Sequence, residues 1–398
     1  MRELQALQID TPAYQVGPSN DLHFFQQMAK TVLKVTCILI GVIAILIMAA
    51  LAAPVNLWRT GELPLPALHY LPPSRDTLKP MRLWVDTDAA CGTGERRDPD
   101  DCLALLSLAG AAGIDIVGIS TVFGNAPVTE ADHVTRTLVQ ALASDAGLPD
   151  SSAPIARSVF KGCGAAASKC LEDGGSLDVQ VALRQALQQG SLDVVALGPL
   201  TNLAAVLTRE PALAFRVTRV VAVMGRRPGH RFHPSENRAT GAMLFGHGPI
   251  FRDLNAVLDT EAVSVVLASG VPVVFVPYSA ARQVMLTSSD LDRIGRIGHA
   301  GAWVAQRSRA WLEFWRIEAG LDGFYPFDLM AAAYARNPGQ FRCARVSAWV
   351  GEDTLLPWFG GGPALLVAQE AGLPTSATKK TQALYCDATQ VKVSDLFP

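Results

Sequence analysis

Between Trp84 and Leu105 the chain runs from an apolar stretch into carboxylates twice over. Trp84-Val85-Asp86-Thr87-Asp88 leads into a short loop of glycines and arginines, then into Asp98-Pro99-Asp100-Asp101-Cys102-Leu103-Ala104-Leu105. So many acidic side chains in so short a span stay ionised together only where a cation or strong donors compensate them. Asp98 is placed as a helix N-cap with Pro99 at the first helical position, and Asp100 and Asp101 fall in a first turn that favours negative charge. Capping with surface charge explains Asp98 and one neighbour, but not Asp86 and Asp88 at a strand end. The stretch therefore predicts a strand, a loop and a helix meeting at an oxygen-ligand site for a hard cation such as Ca²⁺ or Mg²⁺.

The rest of the chain repeats that strand-to-helix step. Arg82–Asp88, Ile114–Phe123, Leu192–Leu197, Arg219–Met224 and Val271–Val276 read as buried strands. Helical patterns cover Pro99–Gly113, Val128–Ala143, Leu177–Gln189 and Thr260–Ser269. This βαβα rhythm predicts an α/β fold, a mainly parallel open sheet with helices on both faces. In such sheets ligands bind beyond the carboxyl ends of the strands. Residues 86–101, Gly124-Asn125, 197–202 and the segment from Gly225 onward therefore form one rim. Trp303, Trp311, Phe314 and Trp315 read mostly as a helical core face. From about Ser347 the pattern gives short strands and a Gly360–Gly362 run at the edge of the domain.

A mean hydropathy of +0.23 alongside ordinary charge content points to one very apolar segment. Val35 to Trp58 carries no charge and exceeds the roughly 20 residues that span a bilayer as a helix. It is expected to be a transmembrane anchor over 35–58, behind a polar tail over 1–34 and ahead of a Pro-rich linker over 59–80 and a globular domain over 81–398. A cleavable signal peptide is the competing reading, given the small residues Ala50-Leu51-Ala52-Ala53; the long apolar core and the long polar tail argue against it. The expected product is a single-pass membrane protein with its domain outside the cytoplasm, or secreted if the segment is cleaved. The six cysteines outside that segment include Cys91 with Cys102 and Cys163 with Cys170, at spacings suited either to disulfides or to small buried thiols. The net charge of -2 gives no electrostatic case for nucleic acid as a partner.

Two phosphate motifs are excluded. A DxDx[TV] loop needs Thr or Val where Ala90 stands, and no GK[ST] of a Walker A loop is present. Instead, Asp86-Thr87-Asp88 with Asp100-Asp101, and Gly124-Asn125 after the second strand, resemble the nucleoside hydrolase family. Val194 to Ala204, reading VVALGPLTNLA, Val223-Met224-Gly225, Asp253-Leu254-Asn255 and Asp259-Thr260-Glu261-Ala262 continue the likeness from about Arg82 to Asn337.

The resemblance implies Ca²⁺-dependent hydrolysis of the N-glycosidic bond of a ribonucleoside or related riboside, by a metal-bound water with Asp88 as general base. It implies Asp88, Asp101, Asp328 and the Leu197 carbonyl as metal ligands, with Asp86 in support. Asp100, Asn125 and Asn255 would hold ribose hydroxyls, and Asp253 would stand for a glutamate near the 5′ end of the sugar. A homo-oligomer is left open. The chain departs from the family pattern in two places that bear on activity. Residues 91–97 lengthen the acidic motif, and Phe327 stands where a histidine would serve as leaving-group acid. A catalytically impaired riboside- or Ca²⁺-binding pseudo-enzyme is therefore the alternative, with His230, His233 and His247 as further places to seek an acid.

Overall fold

A computed structural model describes residues 20–52, 67–72, 81–94, 97–146, 159–172, 177–230, 253–352, 363–369 and 380–397. The chain forms two compact units, Met1–Val55 and Asn56–Pro398. The polar tail, most of the linker, Gly360–Gly362, His233 and His247 lie outside the described residues.

Among the described residues, the first unit is the helix Asn20–Ala52. The expected membrane anchor is not supported: among the described residues no helix is long and apolar enough to cross a membrane. The transmembrane element of the fold, the membrane as a partner, the single-pass topology and the extracytoplasmic placement argued from it fall with the anchor.

Among the described residues, the second unit is built on a nine-stranded sheet. Its strands are β1 (Met81–Thr87), β2 (Ile114–Thr121), β3 (Val159–Lys161), β4 (Leu192–Ala196), β5 (Val217–Ala222), β6 (Val273–Phe275), β9 (Phe341–Glu352), β10 (Pro363–Ala368) and β11 (Thr381–Thr389). The short strands β7 (Leu286–Thr287) and β8 (Gly323–Phe324) pair separately. The sheet order is β10-β9-β11-β6-β5-β4-β1-β2-β3. Strands β3 to β6 through the centre run parallel, and β11 joins β6 in parallel. Antiparallel β9 pairs with both β11 and β10, which makes the sheet mixed at one edge.

Strand periodicity divides the core between the two faces. Leu83, Val85, Val195 and Val221 pack on one side with the helices Asp100–Ala109, His299–Glu318 and Phe327–Arg336. Trp84, Val194, Val220 and Phe275 pack on the other with Leu177–Gln189, Thr201–Arg209 and Thr260–Ala268. Three disulfides join Cys91 to Cys102, Cys163 to Cys170 and Cys343 to Cys386. The last ties β9 to β11.

Candidate active site

The carboxyl ends of β2, β4 and β5 open onto a cavity of about 330 Å³. Asp98, Asp100, Gly124, Asn125, Leu197, Asp253, Asn255 and Asp328 contribute to its lining, with Tyr278, Trp311 and Phe327 supplying aromatic surface and Arg97 at one side.

Two helix N-termini meet at its floor. Asp100 and Asp101 open the helix Asp100–Ala109, and Asp328 is the second residue of Phe327–Arg336. The backbone N–H of Asp328 donates to Oδ2 of Asp100 at 2.9 Å, so the two ends are joined through the carboxylates they carry. One carboxylate oxygen from each of Asp100, Asp101 and Asp328 lies within 4.8 Å of the others, and all three residues are buried. Burial first, and then the charges of Asp100 and Asp101, hold the Asp328 carboxyl well above its ordinary range. Asp101 is pushed up to about 6 by burial and by Asp100, against donors such as Thr87 that favour its ionised form. Buried acids crowded in this way lack the counter-charge that would keep them ionised.

Asp88 stands beside this cluster. Its backbone N–H donates to Oδ1 of Asp101 at 3.1 Å. Its own carboxylate accepts from the Asn125 backbone N–H at 2.8 Å and from Asn125 Nδ2 at 3.2 Å, and Asn125 Nδ2 also reaches Oδ2 of Asp101 at 3.2 Å. Asn125 therefore bridges two of the acids. Gly124 makes that approach feasible, since a Cβ there would lie 1.7 Å from Asp88 Oδ2. Burial and then the Asp101 charge raise the Asp88 carboxyl well above its ordinary range.

Asp86 faces the other side of β1, where Ser120 Oγ and Asn202 Nδ2 each donate to its Oδ1 at 2.7 Å. Ser120 in turn accepts from Trp84 Nε1 at 2.7 Å. Burial lifts Asp86 to about 7 despite these donors. The backbone carbonyl of Asp86 accepts from the Leu197 N–H at 2.8 Å, which locks the end of β4 to that of β1.

The remaining expected residues converge on the same cavity. Asn255 Nδ2 donates to the Leu197 carbonyl at 2.5 Å and to the Val223 carbonyl at 3.1 Å. Asp253 Oδ2 accepts from the Gly225 N–H at 2.6 Å, and burial pushes its carboxyl up to about 6. Asp98 Oδ1 accepts from the Asp100 N–H at 3.2 Å, but the helix begins at Asp100 with Pro99 as its N-cap, so Asp98 stands one residue ahead of the expected capping position. Phe327 lines the cavity and stacks on Tyr278, with centroids 5.7 Å apart. His230 is buried but is not among the lining residues, so it does not fill the place of the expected acid.

Tyr278 was not signalled by the sequence, because it follows β6 without a polar motif. Trp311 belongs to the helix expected to face the core, yet one part of it reaches the cavity. Arg97 arrives on the inserted loop, which the sequence pattern treats as an interruption rather than a contributor. Its Nη1 donates to the Asn125 carbonyl.

Fold and cavity together define an α/β protein with a candidate site at the carboxyl ends of a largely parallel sheet, where such folds bind ligands. Residues 83–381 match the family model described as inosine-uridine preferring nucleoside hydrolase. The chain belongs to that family and is a glycosidase-type hydrolase. It is 24% identical over 329 residues to the non-specific ribonucleoside hydrolase RihC of Salmonella newport, covering 80% of this chain and 97% of that relative. It is 26% identical over 247 residues to an uncharacterized protein of Schizosaccharomyces pombe, covering 56% of this chain and 71% of the relative. A plant nucleoside hydrolase shares the fold, with a TM-score of 0.61 at 19% identity over 80% of this chain and 98% of its own.

Proposed function

We propose that residues 81–398 hydrolyse the N-glycosidic bond of ribonucleosides to free base and ribose, with Ca²⁺ as the resident metal. The observation that carries this reading is the buried cluster of Asp100, Asp101 and Asp328 on the cavity floor, in a chain of this family. The cluster fits a hard cation, because its side-chain donors are carboxylate oxygens buried without a matching positive charge. Asp88, Asp101, Asp328 and the Leu197 carbonyl would hold the ion, with Asp86 in support. When bound, Ca²⁺ supplies Lewis-acid chemistry that lowers the pKa of water at the site.

The residues of the chain account for the remaining roles. Asp88, raised by burial and held in place by both nitrogens of Asn125, is suited to take the proton of the attacking water. Asp100, Asn125 and Asn255 bind sugar hydroxyls, and Asp253 sits towards the 5′ end. Positive charge developing on the ribose as the bond breaks is stabilised by the surrounding carboxylates. The salmonella relative's description as a non-specific ribonucleoside hydrolase supports a ribonucleoside as substrate, and a cavity of about 330 Å³ suits one small molecule.

Ribose release from a panel of purine and pyrimidine nucleosides, with and without a chelator, tests the proposal. Turnover that a chelator abolishes and added Ca²⁺ restores is expected. Absence of chelator-sensitive turnover with every nucleoside would sink it.

A further inference from the structure

The cavity wall poses a specific chemical problem. The base of a nucleoside is a poor leaving group, and Phe327 cannot give it a proton. A general acid must reach the departing atom directly or through one water. Among the other lining groups, the Tyr278 hydroxyl and the Trp311 indole N–H are buried away from solvent. Asp253 already accepts from the Gly225 backbone. One cation remains among the described lining residues, and it is Arg97.

We infer that Arg97 is a catalytic electrophile, whose guanidinium stabilises the negative charge that builds on the departing base. This inference rests on the hydrolase reading above. Arginine stays protonated at any working pH, so it serves as a fixed positive charge rather than as a proton donor. Its side chain is exposed, it makes no ion pair among the described residues, and its described hydrogen bond is the one from Nη1 to the Asn125 carbonyl. That single anchor leaves further guanidinium N–H groups for a ligand. Fixed donors and charges aimed at developing charge are a large source of rate enhancement.

The start of the insertion, Cys91 to Thr93, is fastened at several points. The Cys91–Cys102 disulfide joins it to the residue that follows Asp101. The Thr93 N–H and hydroxyl both donate to the Ala90 carbonyl, at 3.1 and 2.8 Å. Gly92 lies against Arg307, whose Cγ would be 2.6 Å from a Cβ at that position. Arg97, the last residue of the insertion that lengthens the acidic motif, lines the cavity and brings a cation to the site.

The proposed step balances without a further reactant. Water gives hydroxide to C1′ and its proton to the Asp88 carboxylate. The C1′–N bond breaks with its electron pair passing to the base nitrogen, and the base leaves as an anion opposite Arg97 and takes a proton from solvent.

The test compares leaving groups that need help with one that does not. Wild type, Arg97→Gln and Arg97→Lys are assayed on inosine and uridine, and on p-nitrophenyl β-D-ribofuranoside, whose nitrophenolate departs as a stable anion unaided. Arg97→Gln is expected to lower kcat on the nucleosides by about 100-fold or more while changing nitrophenyl riboside turnover by less than about 3-fold. Arg97→Lys, which keeps the charge, is expected to retain more nucleoside activity than Arg97→Gln. Equal losses on both substrate classes, or no loss on nucleosides, would overturn the inference and leave the hydrolase reading standing. A wild-type protein that cleaves none of these substrates overturns that reading and the inference together.

Discussion

The backbone N–H of Asp328 meets Oδ2 of Asp100 at 2.9 Å across 228 positions of sequence. The contact joins the starts of two helices and sets their acidic side chains on one floor. It also explains why the cluster is dense: the carboxylate that fastens the second helix is part of the same group of acids. Asp101→Asn tests whether these acids serve a metal. Removing a ligand charge should weaken Ca²⁺ binding by at least about 10-fold, a loss expected even for changes beside a metal. The same change relieves repulsion among buried acids, so the chelated variant should melt above chelated wild type at pH 7.5. Calorimetric titration and thermal melts with chelator measure the two effects, and a variant with wild-type Ca²⁺ affinity would remove Asp101 from the ligand set.

Stability of the chelated protein should fall as pH rises. Asp101 and Asp253 are held at about 6 and Asp86 at about 7 in the fold, above their ordinary value of 3.8. Between about pH 4 and pH 7 the folded state therefore binds more protons than the unfolded chain, and the slope of stability against pH is negative. The contribution is fully present below the unfolded values and lost as pH passes 6 and then 7. Saturating Ca²⁺ should oppose the trend, because binding requires ionised ligands and stabilises the state that holds them. Melting curves from pH 4.5 to 7.5, with chelator and with Ca²⁺, decide the matter. A chelated protein whose melting temperature rises across that range would contradict the assignment.

Much of this site can be read in the chain because strand ends are conspicuous. An apolar run that stops at Asp86-Thr87-Asp88 points to the carboxyl end of a buried strand, and Gly124-Asn125 and Leu197 to Asn202 repeat the signal. Gly124, Asn125 and Leu197 line the cavity and Asn125 reaches Asp88, whereas Asp86 and Asn202 pair with each other on the other side of β1. Asp328 has no local pattern that ties it to Asp100, and only the family likeness singled it out. The antiparallel edge was harder to read. Strand β9 begins at Phe341, ahead of the expected short strands, and Cys343 finds Cys386 through pairing with a strand 43 residues further on. Tyr278 and Arg97 escaped notice, and Trp311 was read mostly as core, for a common reason. Each reaches the cavity through the placement of its element, which neither residue type nor spacing records. The anchor reading failed differently: it rested on the length and uncharged composition of 35–58, and among the described residues no helix is long and apolar enough to cross a membrane.

Gly124→Ala should separate activity from stability. A Cβ at that position would lie 1.7 Å from Asp88 Oδ2, so either the loop or the proposed base must move. A displacement of about 1 Å at a reacting group can cost about 100-fold in rate, and a loss of that size in kcat is expected. Gly270→Ala is the control. Gly270 adopts a φ of +78° with nothing within 4 Å of a built Cβ, so the cost there is about 1 kcal/mol of backbone strain. Gly270→Ala should melt lower with kcat unchanged. Equal kcat for Gly124→Ala and wild type would show that Asp88 need not sit where the structure places it.

Phe327→His should restore a proton donor at the position where the family likeness expects one. The side chain at 327 lines the cavity beside Asp328 and lies against Tyr278 and Trp315, with ring centroids 5.7 and 6.3 Å away. Nearby carboxylates favour the protonated imidazole, while the aromatic packing holds the ring towards the cavity. General-acid assistance contributes about 100-fold or more where geometry is right. An imperfectly placed histidine should still raise kcat on inosine about 10-fold, with the gain greatest below the pKa of the imidazole. The p-nitrophenyl riboside should show no comparable gain, because its leaving group needs no proton. Part of the aromatic contact is lost, at about 1 kcal/mol of stability. The pH profile of kcat carries the decision: a new descending limb towards alkaline pH marks the added acid, and an unchanged profile would mean that the ring at 327 does not reach the departing base.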